Sequence, residues 1–108
     1  MSSEYVIVLT TLPADGDAGA FAQALVESRL AACVNLLPPM ESVYRWKGTV
    51  ERENERQVII KTTMPRVDAL WQRVRDLHPY EVPEFVVIPV VDGNQAYLQW
   101  VSDCTSYI

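Results

Sequence analysis

Thr49-Val50-Glu51-Arg52-Glu53-Asn54-Glu55-Arg56-Gln57-Val58-Ile59-Ile60-Lys61-Thr62-Thr63 is long enough to be one extended strand. Lys47-Gly48 just before it supplies a turn, and Ser42-Val43-Tyr44-Arg45-Trp46 before that reads as its antiparallel partner. Together they form a hairpin arm of about 50 Å if fully straight, at ~3.3 Å per residue. An arm of that length exceeds what a chain of 108 residues can cover by itself. Tyr44 and Trp46 fall on one face of it, with Val58 and Ile60 expected opposite them across the hairpin. Apolar surface near the tip then calls for burial against another copy of the chain, in closed symmetry.

The rest of the chain supplies a body for this arm. Tyr5-Val6-Ile7-Val8-Leu9 reads as a buried strand ending before Pro13. Asp15-Gly16-Asp17 offers a turn and a cap. Phe21, Ala22, Leu25, Val26 and Leu30 then recur at helical spacing, predicting an amphipathic helix over 17–30. Ala32 to Leu37 reads as a second strand, interrupted by Pro38-Pro39 and resumed at Ser42. Pro65 opens a second helix, with Val67, Leu70, Trp71, Val74 and Leu77 as its apolar stripe and Pro79 as its stop. Glu84 to Val91 is apolar almost throughout, as expected of a strand covered on both faces. Ala96, Tyr97, Trp100 and Val101 mark a third helix, and Thr105 to Ile108 reads as a small strand or a frayed end. The order β-α-β-β-α-β plus a terminal helix is the split pattern of ferredoxin-like α+β folds, in one domain spanning 1–108.

Composition narrows the function. Apolar residues make up 49% and net charge is -5. With no run of Lys or Arg, no nucleic-acid partner is expected, because phosphate binding is driven by basic side chains. The longest apolar stretch, Phe85 to Val91, is far short of the ~20 residues of a spanning helix, so no membrane partner is expected. The first residues lack a signal-peptide pattern, and Cys33 and Cys104 read as reduced thiols in a cytoplasmic protein.

The stretch that concentrates chemistry is His78-Pro79-Tyr80-Glu81-Val82-Pro83-Glu84. Two prolines stiffen it, and His78 ends a helix, where an imidazolium would meet the helix dipole. Glu51, Glu53 and Glu55 share one strand face, a row that repels itself unless something positive lies opposite, from a neighbouring subunit or a cation. With a single His, no nucleophile-base pair is evident, and no catalytic residues are expected. No CxxC, HxH or HExxH pattern is present.

Five motifs in order carry a resemblance. Arg29-Leu30-Ala31-Ala32-Cys33-Val34-Asn35, Tyr44-Arg45-Trp46-Lys47-Gly48, Lys61-Thr62-Thr63, His78 to Glu84, and Tyr97-Leu98-Gln99-Trp100 together resemble the CutA family of divalent-cation tolerance proteins. The match runs from Val6 to about Trp100. The resemblance implies a ferredoxin-like subunit in a homotrimer whose arms pack on neighbouring subunits, placing Tyr44, Trp46, Glu51 and Glu53 at the trimer interface. It implies a non-enzymatic protein of the response to metal ions, with copper as the proposed ion. Carried over residue by residue, His78 matches the family's histidine before Pro-Tyr. Leu77 and Thr10 stand where some members have a second histidine and a cysteine. A lone imidazole binds copper(II) weakly. The remaining candidate ligands beside His78 are Cys33, Glu81 and Glu84. The trimer is also similar to the PII signalling proteins, which implies an alternative: an effector-binding module without metal, with Arg29, Lys61, Tyr80 and Glu84 lining a cleft between subunits.

Overall fold

The computed structural model of the chain describes residues 4–106. Its elements run β1 (Tyr5–Pro13), α1 (Ala18–Glu27), β2 (Cys33–Leu36), β3 (Met40–Trp46), β4 (Thr49–Thr63), a 3₁₀ turn (Met64–Arg66), α2 (Val67–Leu77), β5 (Val86–Pro89) and α3 (Gln95–Cys104). Every strand pairing is antiparallel. The sheet order is β2-β4-β1-β5, with β3 continuing beside the far half of β4. This is an α+β architecture.

The even-numbered residues of β1 and β4 face the helices. Val6, Val8, Val58 and Ile60 there are essentially inaccessible, packed with Phe21 and Leu25 of α1 and Leu70 and Val74 of α2. Val58 and Ile60 are thus core residues, paired with Thr10 and Val8 on one side and Leu36 and Val34 on the other. They do not face Tyr44 and Trp46 as the sequence predicted. The turn dictates the difference. Trp46 pairs with Thr49 around Lys47 (φ 50°) and Gly48 (φ 82°), the two positive φ values of a type I′ turn, so Tyr44 lands on Glu51. Farther back, Leu37, Pro38 and Pro39 stand against only Arg56 and Gln57, between the pairs Leu36–Val58 and Met40–Glu55. This extra residue is a bulge that shifts register by one.

The odd-numbered face of the sheet is only partly covered. Ile7, Leu9 and Ile59 share it with Val86 and Ile88, which are 47% and 40% exposed. The β5 strand is shorter than the predicted 84–91, and it is open on one face rather than covered on both. Helix α3 lies over one end of this face, where the Lys61 ammonium sits 5.9 Å from the Tyr97 ring centre. Tyr97 and Trp100 remain 43% and 44% exposed.

Helix ends follow local chemistry. Asp17 caps α1 by accepting from Ala20 N at 3.0 Å. At the other end, Leu30 N donates to Leu25 O at 3.0 Å and Arg29 N to Val26 O at 3.1 Å. That pair is a Schellman closure, with Arg29 at φ 60° in the left-handed position glycine usually takes. The α1 helix consequently ends at Glu27, short of the predicted 30. Pro65 lies in the 3₁₀ turn before α2 instead of opening α2 itself. The predicted terminal segment, Thr105 to Ile108, caps α3 at Thr105, and Tyr107 and Ile108 lie outside the described residues.

Candidate functional site

The stretch after α2 folds back onto β1 and β4, and a cleft of about 530 Å³ opens beside it. Register explains its walls. Met40, Ser42, Tyr44 and Trp46 of β3 pair with Glu55, Glu53, Glu51 and Thr49, so all of them project from one face of the arm. Of these, Met40, Ser42, Tyr44, Trp46 and Glu55 line the cleft with Thr11, Gln57, Tyr80, Glu81, Val82 and Glu84, and among the described residues no Lys, Arg or His joins them.

Three interactions hold this geometry. His78, 8% exposed, bonds through Nε2 to Thr11 O, and its Nδ1 accepts from Tyr80 N at 3.1 Å. A nitrogen that accepts carries no proton, so Nε2 is the donor to the carbonyl. Both ring nitrogens are thus engaged within the chain. Next, the Tyr80 hydroxyl donates to Glu55 Oε2 at 2.9 Å, and Glu55 is 7% exposed. Finally, Gln57 Nε2 donates to Thr10 O at 2.8 Å and to Glu84 Oε2 at 2.9 Å, tying the loop to the sheet. The imidazole and phenol rings also pack at 4.8 Å between centres.

The electrostatics are one-sided. Burial first, then the hydrogen bond and charge of Glu55, push the Tyr80 phenol well above its ordinary value. The Tyr44 phenol moves the same way, through partial desolvation and then the Glu53, Glu55 and Glu51 carboxylates. The row Glu51, Glu53, Glu55 faces Tyr44, Ser42 and Met40 across the hairpin, with no cation opposite.

Not every sequence candidate meets here. Tyr80, Glu81 and Glu84 line the cleft, and His78 braces it from behind. Tyr44, Trp46, Glu51 and Glu53 project from the same face of the arm. Cys33 pairs with Lys61 at the far end of β4, four positions beyond Gln57, which is ~13 Å along a strand. Lys61 sits there too, over Tyr97, and Arg29 is at the end of α1; neither lines the cleft. Thr10 points into the core with its hydroxyl lacking any hydrogen-bond partner. Among the described residues, no three His, Cys, Asp or Glu side chains group as a metal site. Both cysteines are free thiols and half-buried. The sequence reading missed Gln57, Met40, Ser42 and Thr11. Gln57 was within reach, because it continues the alternation of Glu51, Glu53 and Glu55.

Comparison with known proteins is consistent across three kinds of evidence. The family model described as "CutA1 divalent ion tolerance protein" matches residues 6–104. The "Divalent-cation tolerance protein CutA" of Thermus thermophilus is 46% identical over 99 residues, covering 92% of this chain and 96% of that one. Human "Protein CutA" is 48% identical over 98 residues, and there the alignment spans 91% of this chain but only 55% of the relative. The crystal structure of CutA1 from the psychrotrophic bacterium Shewanella sp. SIB1 superposes with a TM-score of 0.92 at 38% identity, covering 97% and 98% of the two chains.

Proposed function

The chain belongs to the CutA1 divalent ion tolerance family, and from that membership we propose that it acts as a homotrimeric, non-enzymatic cytoplasmic protein in the response to divalent cations, copper among them. The observation that carries the cation role is the cleft. Glu55, Glu81 and Glu84 line it without any basic side chain, so its field favours a positive ion. Relatives named for divalent-cation tolerance point the same way.

The assembly rests on the open sheet face. Ile7, Leu9, Ile59, Val86 and Ile88 form a contiguous apolar surface with Tyr97 and Trp100 at its edge. Covering such a face with other copies removes it from water, and a closed ring is the economical outcome. The strand order fits a ferredoxin-like subunit in which the arm reaches a neighbour through Tyr44, Trp46, Glu51 and Glu53. Copper contact is weak in this reading, since an ion recruiting His78 must break one of its two intrachain hydrogen bonds. Calorimetric titration with copper(II) tests the cation role: heat that falls in Glu84→Gln supports it, and identical isotherms for the two proteins sink it.

A second reading has its own support. The cleft is of small-molecule size, has aromatic walls, and lacks three grouped ligands, as an effector-binding module would. A thermal-shift screen separates the readings: stabilisation by copper alone favours the first, by metabolites alone the second.

A further inference from the structure

Asp92-Gly93 lies in the segment 90–94 between β5 and α3, which is neither helix nor strand. Val91 just before it is 97% exposed, and Asp92 and Gly93 are exposed too. The Gly93 amide donates to Oδ1 of Asp92, the residue it is bonded to, at 2.8 Å. Among the described residues, no cation pairs with that carboxylate and no backbone carbonyl takes the amide. The bond therefore holds the carboxyl group beside the nitrogen with which its carbon can close a five-membered ring.

A second Asp-Gly pair supplies the contrast. Asp15-Gly16 is also exposed, but the Gly16 amide donates to Pro13 O at 3.3 Å in the turn before α1. Asn94, next to Gly93, is committed differently again. It caps α3, its side chain accepting from Tyr97 N at 3.1 Å and its carbonyl from Leu98 N at 3.0 Å. Nothing in the fold demands glycine at 93. Among the described glycines, Gly48 is the one with a positive φ, and a Cβ on Gly93 would meet the Leu98 side chain at 3.4 Å, a van der Waals contact. What glycine supplies there is an uncrowded amide nitrogen and free backbone rotation.

We propose that Asp92-Gly93 is a site of spontaneous isoaspartate formation, which ages the chain at the cap of α3. The Gly93 nitrogen attacks Cγ of Asp92 and an N–Cγ bond forms. The nitrogen gives up its proton, and one carboxylate oxygen leaves as water with that proton and one from the medium. Water then opens the cyclic imide. Addition at Cγ restores aspartate. Addition at the main-chain carbonyl carbon breaks the original peptide C–N bond and leaves Gly93 attached through Cγ, so the backbone gains one methylene. No oxidant or reductant takes part. The insertion falls two residues before Asn94, so it displaces the cap and with it Tyr97, whose ring centre lies 5.9 Å from the Lys61 ammonium.

The test stores the full-length protein, in its solution assembly, for weeks at neutral pH in water enriched in heavy oxygen, then maps the digested chain by mass spectrometry. Each passage through the imide leaves one solvent oxygen at residue 92, whichever product forms. Heavy oxygen at Asp92, none at Asp15, and a second, isoaspartyl form of the peptide that holds Asp92 are expected. The label should be lost in Gly93→Ala, which crowds the nitrogen, and in Asp92→Glu, whose longer side chain cannot close a five-membered ring; the second change is at an exposed position and keeps the test valid if the first does not fold. No label at Asp92 overturns the site, and equal label at Asp15 overturns the role given to the hydrogen bond. The midpoint of thermal unfolding reads the consequence. It should fall on storage for the wild type and hold for Asp92→Glu; an equal fall in both, or in neither, overturns the effect on α3.

Discussion

Tyr80 donates its hydroxyl to Glu55 Oε2 at 2.9 Å, joining the loop after α2 to the middle of the longest strand, across 25 residues of chain. The phenol is held protonated by burial and by the carboxylate it serves. That bond fixes the wall of the cleft, and it makes the protein sensitive to alkali. A phenol whose folded pKa is raised contributes stability fully below its ordinary value of about 10, and loses it as pH rises beyond that. Replacing Tyr80 by Phe should lower stability at neutral pH. The gap between the two proteins should narrow above pH ~10, measured by denaturant unfolding across the alkaline range. A gap that stays constant with pH would contradict the role given to this bond.

His78 fastens the end of α2 to β1 through Thr11 O while receiving Tyr80 N. His78→Ala leaves a buried carbonyl and an amide without these partners. The expected cost is about 1–3 kcal/mol, read by chemical denaturation at fixed protein concentration. A change within ±0.5 kcal/mol, the usual range for surface substitutions, would show the ring to be dispensable for folding.

Thr10 gives the opposite sign. Its side chain is fully buried and its hydroxyl has no partner. Thr10→Val keeps the shape and removes the unsatisfied group, so a gain of about 1 kcal/mol is expected. A loss of stability would mean the hydroxyl has a partner in solution.

Arg29 sits at φ 60° in the closure after α1, where a side chain is strained and glycine is not. Arg29→Gly should raise the midpoint of thermal unfolding, by the equivalent of roughly 0.5–1 kcal/mol. A lower midpoint would show that the guanidinium makes contacts worth more than the backbone strain, most simply with another subunit.

These particulars show what could be read from sequence and what could not. The fifteen-residue strand, the Lys47-Gly48 turn and the two helical stripes were legible because each is a local pattern in consecutive residues. Register was not legible: Tyr44 and Trp46 were expected opposite Val58 and Ile60 and instead pair with Glu51 and Thr49. The bulge at Leu37-Pro38-Pro39 displaces pairing by one, and nothing nearby in sequence announces how many residues of β4 it will oppose. Glu84 to Val91 was misjudged as a strand covered on both faces because an apolar run looks the same whether helices or other copies of the chain cover it. At the site, Tyr80, Glu81 and Glu84 were found from their stiff, polar loop. Thr11 and Gln57 join them only through the pairing of β1 with β4, a long-range contact. Arg29 and Lys61, expected in a cleft between subunits, lie away from the cleft that one chain forms by itself.

The open sheet face bears most directly on the assembly. Val86 and Ile88 present apolar side chains to solvent in one copy. Light scattering on the purified protein, repeated with Val86→Glu/Ile88→Glu, measures what covers them. The account predicts a mass of about 37 kDa, three times 12.2 kDa, falling toward a single chain in the double variant. A wild-type mass near 12.2 kDa at micromolar concentration would contradict it.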